Sequence, residues 1–556
     1  MKYDYIVIGS GVSGLTCASG LSLMDKKVLL IEKNEETGGC MRNIVWEELK
    51  EGQKKGEGIV RGNWTMGMQF TVAYGPDSIY NKLLQIFTDD KCKFSPMDVD
   101  YQKIKFYNWA GKPGDVNPPP TDFFDYTIKA DSKKMRAAMI ADYPEEKRAI
   151  KRYYRNMNAI SRFAPLLAIP KWMPIFLARI FHPIILGVFF PVMSIRLRKL
   201  NEITLTEVVE NRYKIKSPEV RAIIYSYWHL EGMAVKDVPF IYYVVGTKML
   251  EKGVYIPNGG ATKIRDAFVE TIKKNGVDIR VNTTVEKIII ENNKAVGVEL
   301  IGGEVIESKN VISSAGIPET IGGLIDRGDW NKRITSIMAE SQKMKNYRSG
   351  LVLRVGLKGD ISKLGFTKAT LKTQIGESST LIGNPTEKDW LPQDITYSFL
   401  SVIDKTVLNA NGYTAVDVIC FCPYECFEYL YPIEKNQEEY DKVVARITEI
   451  LIDSFEKEYP GVKEMVAFTY LTSPLTVEAN TSHIKGNIDG LNMKKSGLMN
   501  IQPHTGIKNL YFSGMDMFSQ GITTFDGILT IAASEGLLKT TWKLWRKWRK
   551  IKKARV

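Results

Sequence analysis

The N-terminal stretch "YDYIVIGSGVSGLTCASG", residues 3–20, decides the fold class. Its apolar run ends at Ile8, and Gly9, Gly11 and Gly14 follow with the spacing G-x-G-x-x-G before the pattern becomes helical. The first glycine permits a tight turn, the second lets the backbone approach a diphosphate, and the third lets the helix pack closely on the strand. Because the helix N-terminus adds unpaired N–H groups, this stretch predicts a dinucleotide site.

A carboxylate follows the next apolar run, where a dinucleotide site requires one. Residues 27–31 are apolar or β-prone and are followed by Glu32 and Lys33, so that Glu32 lies 18 residues after Gly14. A carboxylate at the end of the second strand accepts hydrogen bonds from ribose hydroxyls. Glycine turns in an ordinary α/β protein are the alternative explanation, and Glu32 counts against it.

The segment "EKNEETGGCM", residues 32–41, favours FAD over NAD as the dinucleotide. A Gly-Gly pair shortly after the ribose-binding acid resembles the second motif of glutathione-reductase-type flavoproteins, particularly the amine oxidase and phytoene desaturase branch. Gly39 then lets the chain pass close to the cofactor, and Met41 and Arg42 are candidates to contact it. A surface turn is the alternative interpretation of this segment.

The order of motifs predicts an α/β protein in which one domain is assembled from separated pieces of chain. A chain of 556 residues is long enough for two or three domains. We expect a glutathione-reductase-type FAD-binding Rossmann-like domain with an inserted α+β substrate domain. The predicted FAD-binding segments are 1–75, 253–320 and 495–536, the substrate-binding and membrane-facing segments are 76–252 and 321–494, and a basic amphipathic tail covers 537–556.

Longer motifs resemble one family of flavoproteins over nearly the whole chain. The stretches "GVYIPNGGATKIRDAF" (253–268), "NNKAVGVEL" (292–300) and "VISSAG" (311–316) are similar to phytoene desaturases, carotenoid isomerases and retinol saturases. Phytoene desaturases and amine oxidases place Asp directly after Gly in the last motif, whereas retinol saturases carry Gly-x-Asp-x-Phe. The sequence Gly514-Met-Asp516-Met-Phe518 matches the retinol saturase form.

The resemblance implies further contacts with FAD. Val285 corresponds to a residue that packs near the adenine, Gly316 ends a loop near the phosphates, and Gly514 and Asp516 lie at the ribityl-phosphate region. The expected cofactor-binding residues are Gly9, Gly11, Ser13, Gly14, Glu32, Lys33, Gly39, Met41, Arg42, Val285, Gly316, Gly514 and Asp516.

The sequence does not identify a catalytic acid. Where retinol saturases have Gly-Ile-His-Tyr, this chain has Gly67-Met-Gln69-Phe70, so both polar ring side chains are absent. The remaining candidates are Gln69, Tyr227, His229 and Glu231, with His504 and Tyr225 as similar ones. A purely structural role is the alternative for each.

The family resemblance implies a flavin-dependent oxidoreductase that acts on CH–CH groups. The leading hypothesis is an enzyme that saturates a carbon–carbon double bond of a polyunsaturated lipid, such as a retinoid, carotenoid or fatty acyl chain. Desaturation or cis-trans isomerisation of a carotenoid-like polyene is the second. A non-catalytic escort of lipids or prenylated proteins on the same fold is an alternative of another class. Because no second G-x-G-x-x-G unit follows, electrons come either from NAD(P)H bound transiently at the flavin or from a separate donor.

The C-terminal segment carries most of the net charge of +13, since residues 537–556 contain nine Lys or Arg and no acid. Trp542, Trp545, Trp548 and Ile551 recur every third residue among these cations. That composition is typical of a helix that lies in the interface of an anionic membrane. A solvated tail is the alternative, and nucleic-acid binding is not expected.

Two other segments bear on localisation. Residues 172–195 are apolar but contain Arg179, His182 and prolines, so we expect a broken surface that dips into lipid and not a spanning helix. The N-terminus enters the first strand directly, without a signal peptide. Together these features predict a peripheral protein on the cytoplasmic side of a membrane. The spacing of Cys420, Cys422 and Cys426 matches no standard metal motif, and no metal is expected.

Overall fold

A computed structural model describes most of the chain. The described residues are 2–48, 59–65, 71–72, 74–108, 121–163, 203–226, 238–343, 348–365, 371–376, 395–399, 413–488, 490, 501–517 and 523–555. The candidates Gln69, Tyr227, His229 and Glu231, and the apolar segment 172–195, lie outside these ranges.

The strands are numbered in chain order. They are β1 (Tyr3–Ile8), β2 (Val28–Ile31), β3 (Asn43–Glu48), β4 (Ile59–Thr65), β5 (Thr71–Val72), β6 (Phe94–Pro96), β7 (Gln102–Asn108), β8 (Thr121–Ile128), β9 (Val254–Pro257), β10 (Asp278–Arg280), β11 (Val285–Glu291), β12 (Lys294–Leu300), β13 (Val305–Ser313), β14 (Arg348–Lys358), β15 (Leu371–Gly376), β16 (Ile395–Ser398), β17 (Tyr413–Pro423), β18 (Val466–Thr472) and β19 (Leu510–Phe512).

The α-helices are numbered in the same way. They are α1 (Val12–Ser22), α2 (Ile79–Phe87), α3 (Ser132–Asp142), α4 (Lys147–Phe163), α5 (Pro218–Tyr225), α6 (Phe240–Leu250), α7 (Ala261–Lys274), α8 (Ile317–Glu319), α9 (Lys332–Lys343), α10 (Gln437–Glu458), α11 (Val462–Met465), α12 (Pro474–Thr481), α13 (Thr523–Glu535) and α14 (Leu537–Ala554).

The first seven-stranded sheet has the order β10-β2-β1-β13-β12-β11, with β19 paired to β13. Strands β10, β2, β1, β13 and β19 are mutually parallel, and β11 and β12 add antiparallel pairs at one side. Its strands come from three separated stretches of chain, as expected for the discontinuous α/β fold. A ligand of such a sheet binds at the carboxyl ends of the parallel strands, where β1 lies between β2 and β13.

The parallel strands of this sheet are apolar on both faces, because helices or loops cover each face. Tyr5 and Val7 point into the cluster formed with α1, α7 and α13, whereas Ile6 and Ile8 point into the opposite cluster. The hydrophobic run that opens the chain therefore becomes a central strand, and it carries the glycine turn to the ligand-binding edge.

The second seven-stranded sheet belongs to the expected substrate segments and has the order β18-β14-β17-β16-β15-β7-β8. All of its pairs are antiparallel except β15 with β7. One face is apolar: Leu353 of β14 and Val418 of β17 pack with Ile447 and Leu451 of α10. The opposite face carries polar residues.

Two helices pack on the first sheet's core although the sequence analysis assigned them elsewhere. Leu84 and Phe87 of α2 lie in the same cluster as α1, although the expected domain boundary lies at residue 75. Helix α14, expected as a separate tail, contributes Leu544 and Ile551 to that cluster. The side of α14 that carries these residues therefore packs against the core of the first sheet.

Charged contacts also hold α14 against this part of the fold. Lys547 donates to Asp89 at 2.6 Å and Arg555 donates to Asp90 at 2.8 Å, both just after α2. Within the described ranges, no helix is both long enough and apolar enough to cross a membrane.

Candidate cofactor site

The glycine turn after β1 is shaped by contacts that leave no room for side chains at two of its three glycines. Gly9 adopts φ +89°, and a Cβ on Gly14 would lie 2.0 Å from the carbonyl oxygen of Gly9. Helix α1 can therefore begin directly on the turn. By contrast, a Cβ on Gly11 would meet no atom within 4 Å, so the space above Gly11 is open.

This open space lies at an uncapped helix end. Helix α1 begins after Gly11, and neither a side-chain cap nor an acidic residue is present in its first turn. The first N–H groups of a helix need acceptors and attract anions. The turn therefore fits a diphosphate, with the backbone of Gly11 and the start of α1 as its ligands.

Ser13 makes a contact within the protein. Its Oγ lies 2.5 Å from Oγ of Ser513, the residue that follows β19, and Ser513 also lies 3.4 Å from Sγ of Cys17. This buried set ties α1 to the last strand of the sheet. The side chain of Ser13 thus supports the turn, and only its backbone N–H remains suited to a phosphate.

Glu32 is buried at the end of β2 and organises the turn. Its Oε2 accepts hydrogen bonds from the Ser10 backbone at 3.0 Å and from the Ser10 hydroxyl at 2.5 Å. Its Oε1 accepts from the backbone and side chain of Asn34 at 3.0 and 2.7 Å. These four hydrogen bonds occupy the acceptor sites of the carboxylate, so the expected ribose contact would require one of them to be exchanged.

Backbone contacts join the Glu32 segment to the residues just before β11. The N–H of Thr283 donates to the carbonyl of Glu32 at 3.0 Å, and that of Asn282 donates to the carbonyl of Asn34 at 2.9 Å. Val285 is the first residue of β11 and is buried. The role of Val285 near the adenine therefore stays a prediction, and the structure places it two residues after the Thr283 contact with Glu32.

The Gly38-Gly39 segment crosses the glycine turn closely. Gly39 has φ +55°, and a Cβ there would lie 3.1 Å from the Cα of Gly11. Met41 follows in a short 3₁₀ turn and is buried in the core cluster around α1. The side chain of Met41 therefore packs in the protein, and the two glycines form one wall of the open space.

Lys33 and Arg42 connect the site to helix α12 of the substrate segments. Arg42 donates to the carbonyl and the side-chain oxygen of Asn480 at 3.0 and 3.3 Å. Lys33 donates to the carbonyl of Ala479 at 3.3 Å and to the hydroxyl of Ser482. Sequence reasoning did not anticipate Asn480, because no pattern in "EANTSH" distinguishes it from a surface residue.

The loops after β13 and β19 meet at Asp516. Its Oδ2 accepts a hydrogen bond from the backbone N–H of Ile317 at 2.7 Å, and the residue is buried. Gly316 and Gly514 have φ values of +100° and +127°, which favour glycine. A Cβ on Gly514 would meet only the Ser314 hydroxyl, at 3.9 Å. The side chain of Asp516 thus holds the two loops together. The backbone at Gly514, two residues earlier, is open to a ligand.

Glu319 is a further acidic residue in this cradle that sequence reasoning missed. Its Oε1 accepts from the backbone N–H of Ile484 at 2.6 Å, while its Oε2 is buried without a hydrogen-bond partner among the described residues. Burial, followed by the nearby charge of Asp516, raises the pKa of Glu319 to about 8. A carboxyl group that keeps its proton at neutral pH therefore lies next to a carboxylate. In the sequence, the only signal for Glu319 is its position three residues after Gly316.

Two described polar candidates for catalysis make contacts within the protein, although the buried Nε2 of His504 has no hydrogen-bond partner among the described residues. Tyr225 donates to Glu210 at 2.9 Å, and burial followed by this hydrogen bond raises the tyrosine pKa. The ring of His504 packs near that of Tyr511 at 5.6 Å. Burial and then the positive charge of Arg333 lower the pKa of His504, so its neutral form is favoured. These contacts are structural, and they do not indicate a catalytic role for either residue.

Two protein-family models match parts of the chain. The model described as an NAD(P)-binding Rossmann-like domain matches residues 7–55, and that of the flavin-containing amine oxidoreductases matches residues 215–320. Among solved structures, an oxidoreductase from Methanosarcina mazei is similar with a TM-score of 0.56 and 15% identity, over 96% of this chain and 99% of that one. This likeness supports the fold.

Three curated relatives align with nearly the entire chain, each at 23% identity. An all-trans-retinol 13,14-reductase of Danio rerio aligns over 96% of this chain and 85% of its own length. An inactive all-trans-retinol 13,14-reductase of Danio rerio aligns over 93% and 83%. A chloroplastic prolycopene isomerase of Daucus carota aligns over 96% and 81%. The chain resembles retinol saturases and carotenoid isomerases along nearly its entire length.

As a retinol saturase-like protein, the chain is a flavin-dependent oxidoreductase, and FAD is its cofactor. The residues present fit this cofactor, because the space at Gly11 is open, the start of α1 is uncapped and the backbone at Gly514 is open. Gly11 and the start of α1 would hold the diphosphate, the segment at Glu32 would lie at the adenosine ribose, and the backbone at Gly514 would lie at the ribityl side. The resemblance to named oxidoreductases and isomerases favours an enzyme over the escort alternative.

Proposed function

We propose that this retinol saturase-like protein reduces a carbon–carbon double bond of a polyunsaturated lipid, such as a retinoid, carotenoid or fatty acyl chain. The observation that carries the proposal is the dinucleotide cradle of the first sheet, in a chain that aligns along almost its full length with enzymes named for polyene substrates. Its retained Gly514-Met-Asp516 motif supports the saturase branch.

Bound FAD supplies hydride exchange with a carbon atom, and the protein supplies orientation, apolar surroundings and a proton. The backbone of Gly11 and the start of α1 fix the diphosphate end, and Asp516 holds the loop at Ile317 in place. Gln69, Tyr227, His229 and Glu231 remain our candidates for the proton donor. NAD(P)H bound transiently, or a separate electron donor, provides the reducing equivalents.

We also propose that the exposed side of α14 binds an anionic membrane surface on the cytoplasmic side. Leu538 is 86% exposed, and Trp542 and Trp545 are 50% and 53% exposed, while Leu544 is buried on the opposite side. Arg546 and Arg549 stack over the two exposed rings at 5.3 and 4.8 Å. Tryptophan beside cations is suited to the headgroup region, where each cation contributes about 1 kcal/mol. Because α14 is docked, Trp548 and Ile551 take no part in this surface.

Cis-trans isomerisation of a carotenoid-like polyene is the second candidate function, since the carrot relative with that name aligns over 96% of the chain. The two reactions differ in mass balance. Reduction adds two hydrogens to the product, isomerisation adds none, and desaturation removes two. The scaffold alone fits all three.

Anaerobic incubation of the reduced, FAD-loaded protein with a panel of polyenes distinguishes these functions by mass spectrometry of the extracted lipid. A product heavier by two hydrogens supports reduction. A product of unchanged mass and altered retention supports isomerisation. Turnover only by the oxidised protein, with loss of two hydrogens, contradicts the proposed direction.

A further inference from the structure

A cationic cavity lies within the expected substrate segments. It has a volume of about 640 Å³ and lies between the start of α4 and residues 213–217. Arg148 and Arg152 line it from α4, and Lys214 and Lys216 line it from the other side. All four residues are exposed, and none of them belongs to the sites proposed for FAD, for proton transfer or for the membrane. The cavity is therefore a separate candidate site.

The two arginines are neighbours on one side of α4. A spacing of four residues brings side chains together on a helix surface, while Ile150 and Tyr153, on the opposite side of α4, are buried. Like charges at this spacing destabilise a helix. Within the described ranges, no carboxylate forms an ion pair with Arg148 or Arg152. An anion bound between the two guanidinium groups would remove this repulsion.

The guanidinium group of Arg152 is oriented by an aromatic ring. Its central carbon lies 5.7 Å from the centre of the Tyr213 ring. The side-chain amide of Asn156 donates to the Tyr213 hydroxyl at 3.1 Å, and Phe240 packs edge-on against the same ring at 6.3 Å. A guanidinium group stacked over a ring keeps its in-plane N–H groups available as donors. Arg152 is thus positioned before any ligand binds.

A buried carboxylate ties the two walls of the cavity together. Oε1 of Glu146, just before α4, accepts hydrogen bonds from the backbone N–H groups of Lys216 and Ser217 at 2.5 and 2.8 Å. Ile215 is fully buried between two exposed lysines, so the lysine side chains lie on the outer side. Lys214 has φ +56°, which is uncommon for a residue with a Cβ. The chain thus adopts an unfavourable backbone conformation where it places a cation at the cavity.

The charges around the cavity favour an anion. Four cations line it against two carboxylates, Glu145 and Glu146, and Glu146 already accepts two backbone hydrogen bonds. Guanidinium groups donate in pairs to phosphate oxygens, and ammonium groups add positive charge without a fixed geometry. A volume of this size lies in the range of small-molecule sites, roughly 300–1,000 Å³. The lining therefore suits a phosphate group that belongs to a larger molecule.

We propose that this cavity binds the phosphate group of an anionic ligand. Arg148 and Arg152 donate to the phosphate oxygens, and Lys214 and Lys216 contribute further positive charge. The headgroup of an anionic lipid and a soluble phosphate ester both present this group. The site is independent of the reaction at the flavin, and it shares no residue with the exposed side of α14.

Inorganic pyrophosphate, which offers two phosphate groups and nothing else, is the first probe. It is titrated by calorimetry into the FAD-loaded full chain, so that the cofactor occupies the diphosphate site of the first sheet. The cavity pair, Arg148→Ala with Lys216→Ala, should raise the dissociation constant at least about tenfold, because charge-assisted hydrogen bonds are lost. The control pair, Lys147→Ala with Lys151→Ala, removes the same charge from exposed residues of α4 that do not line the cavity. It should change the constant less than about twofold.

Vesicles distinguish the two sources of the phosphate group. Every protein compared in this experiment also carries Trp542→Ala with Trp545→Ala, which removes the aromatic rings from the exposed side of α14. Binding to phosphatidylcholine vesicles is measured with and without phosphatidic acid. If the cavity pair loses more of the binding that depends on phosphatidic acid than the control pair does, the ligand is a lipid headgroup. A selective loss of pyrophosphate binding without that difference identifies a soluble phosphate ester.

Two results overturn the proposal. One is an equal effect of the cavity pair and the control pair on both probes, since binding then depends on the general charge of the surface. The other is that neither probe binds when the cavity is unmodified. Because all four substituted residues are exposed, thermal melts of both pairs should match that of the unmodified protein, which separates a loss of binding from a loss of folding.

Discussion

The carboxylate of Asp516 accepts the backbone N–H of Ile317 at 2.7 Å, which joins the loop after β19 to the loop after β13. Both loops end strands of the same parallel sheet, so this bond closes one side of the FAD cradle. Asp516→Ala should release the loop and lower FAD affinity about tenfold, because a charge-assisted hydrogen bond is lost. Retained flavin after dialysis measures the effect. Asp326→Ala, an exposed acid in the same region, is the matched control and should retain FAD normally.

Substitutions at two glycines of the turn should have different effects, one on cofactor binding and the other on the stability of the fold. Gly11 has φ −62° and open space where an added methyl group would lie, so Gly11→Ala should fold with an unchanged melting temperature of the apoprotein and fail to retain FAD. Gly14→Ala places a methyl group against the carbonyl of Gly9 and should lower the melting temperature itself. Thermal melts and flavin content of both apoproteins check the contrast. Equal loss of stability in both variants is the contrary result.

The raised pKa of Glu319 should make stability depend on pH. The folded protein holds the proton up to about pH 8, whereas the unfolded chain releases it near the ordinary glutamate value, so stability falls as pH rises between these values. Glu319→Gln removes this dependence. We expect the stability of the variant relative to the unmodified protein to rise between pH 5 and pH 8, by on the order of 3 kcal/mol. Denaturant unfolding at both values measures it, and a difference independent of pH speaks against a protonated Glu319.

The two sides of α14 should respond differently to substitution. The double variant Trp542→Ala with Trp545→Ala alters exposed residues, so it should reduce binding to anionic vesicles and leave the melting temperature unchanged. Leu544→Ala alters a buried residue and should cost about 2–4 kcal/mol of stability. Sedimentation with vesicles and thermal melts distinguish them. Undiminished vesicle binding by the double variant removes α14 from the membrane proposal.

Sequence reasoning predicted the α/β fold and the dinucleotide site because each depends on a local pattern, whereas the choice of FAD came from the resemblance of residues 32–41 to flavoproteins. The run ending at Ile8, the three glycines and Glu32 are close in sequence, and their spacing alone defines strand, turn, helix and acid. The glycine pair at residues 302–303 likewise indicates a turn between two apolar runs, and β12 and β13 pair antiparallel on either side of it.

Features formed by distant residues could not be predicted in the same way. Glu319 meets Ile484, and Arg42 meets Asn480, only through the packing of α12 on the first sheet. The position of α14 depends on Asp89 and Asp90, which in the sequence are two ordinary loop acids. The pairing of Asp417 with Arg354 across β17 and β14 needs the strand register, which hydrophobic periodicity does not supply.

The proposed reduction is tested most directly by its stoichiometry in a single anaerobic turnover. The FAD-loaded protein is reduced, freed of excess reductant and mixed with a retinoid alcohol, and flavin oxidation is followed together with the mass of the lipid. The account predicts one product molecule, heavier by two hydrogens, for each flavin reoxidised. Conversion of the lipid without flavin oxidation or a change in mass would contradict it and assign isomerisation instead.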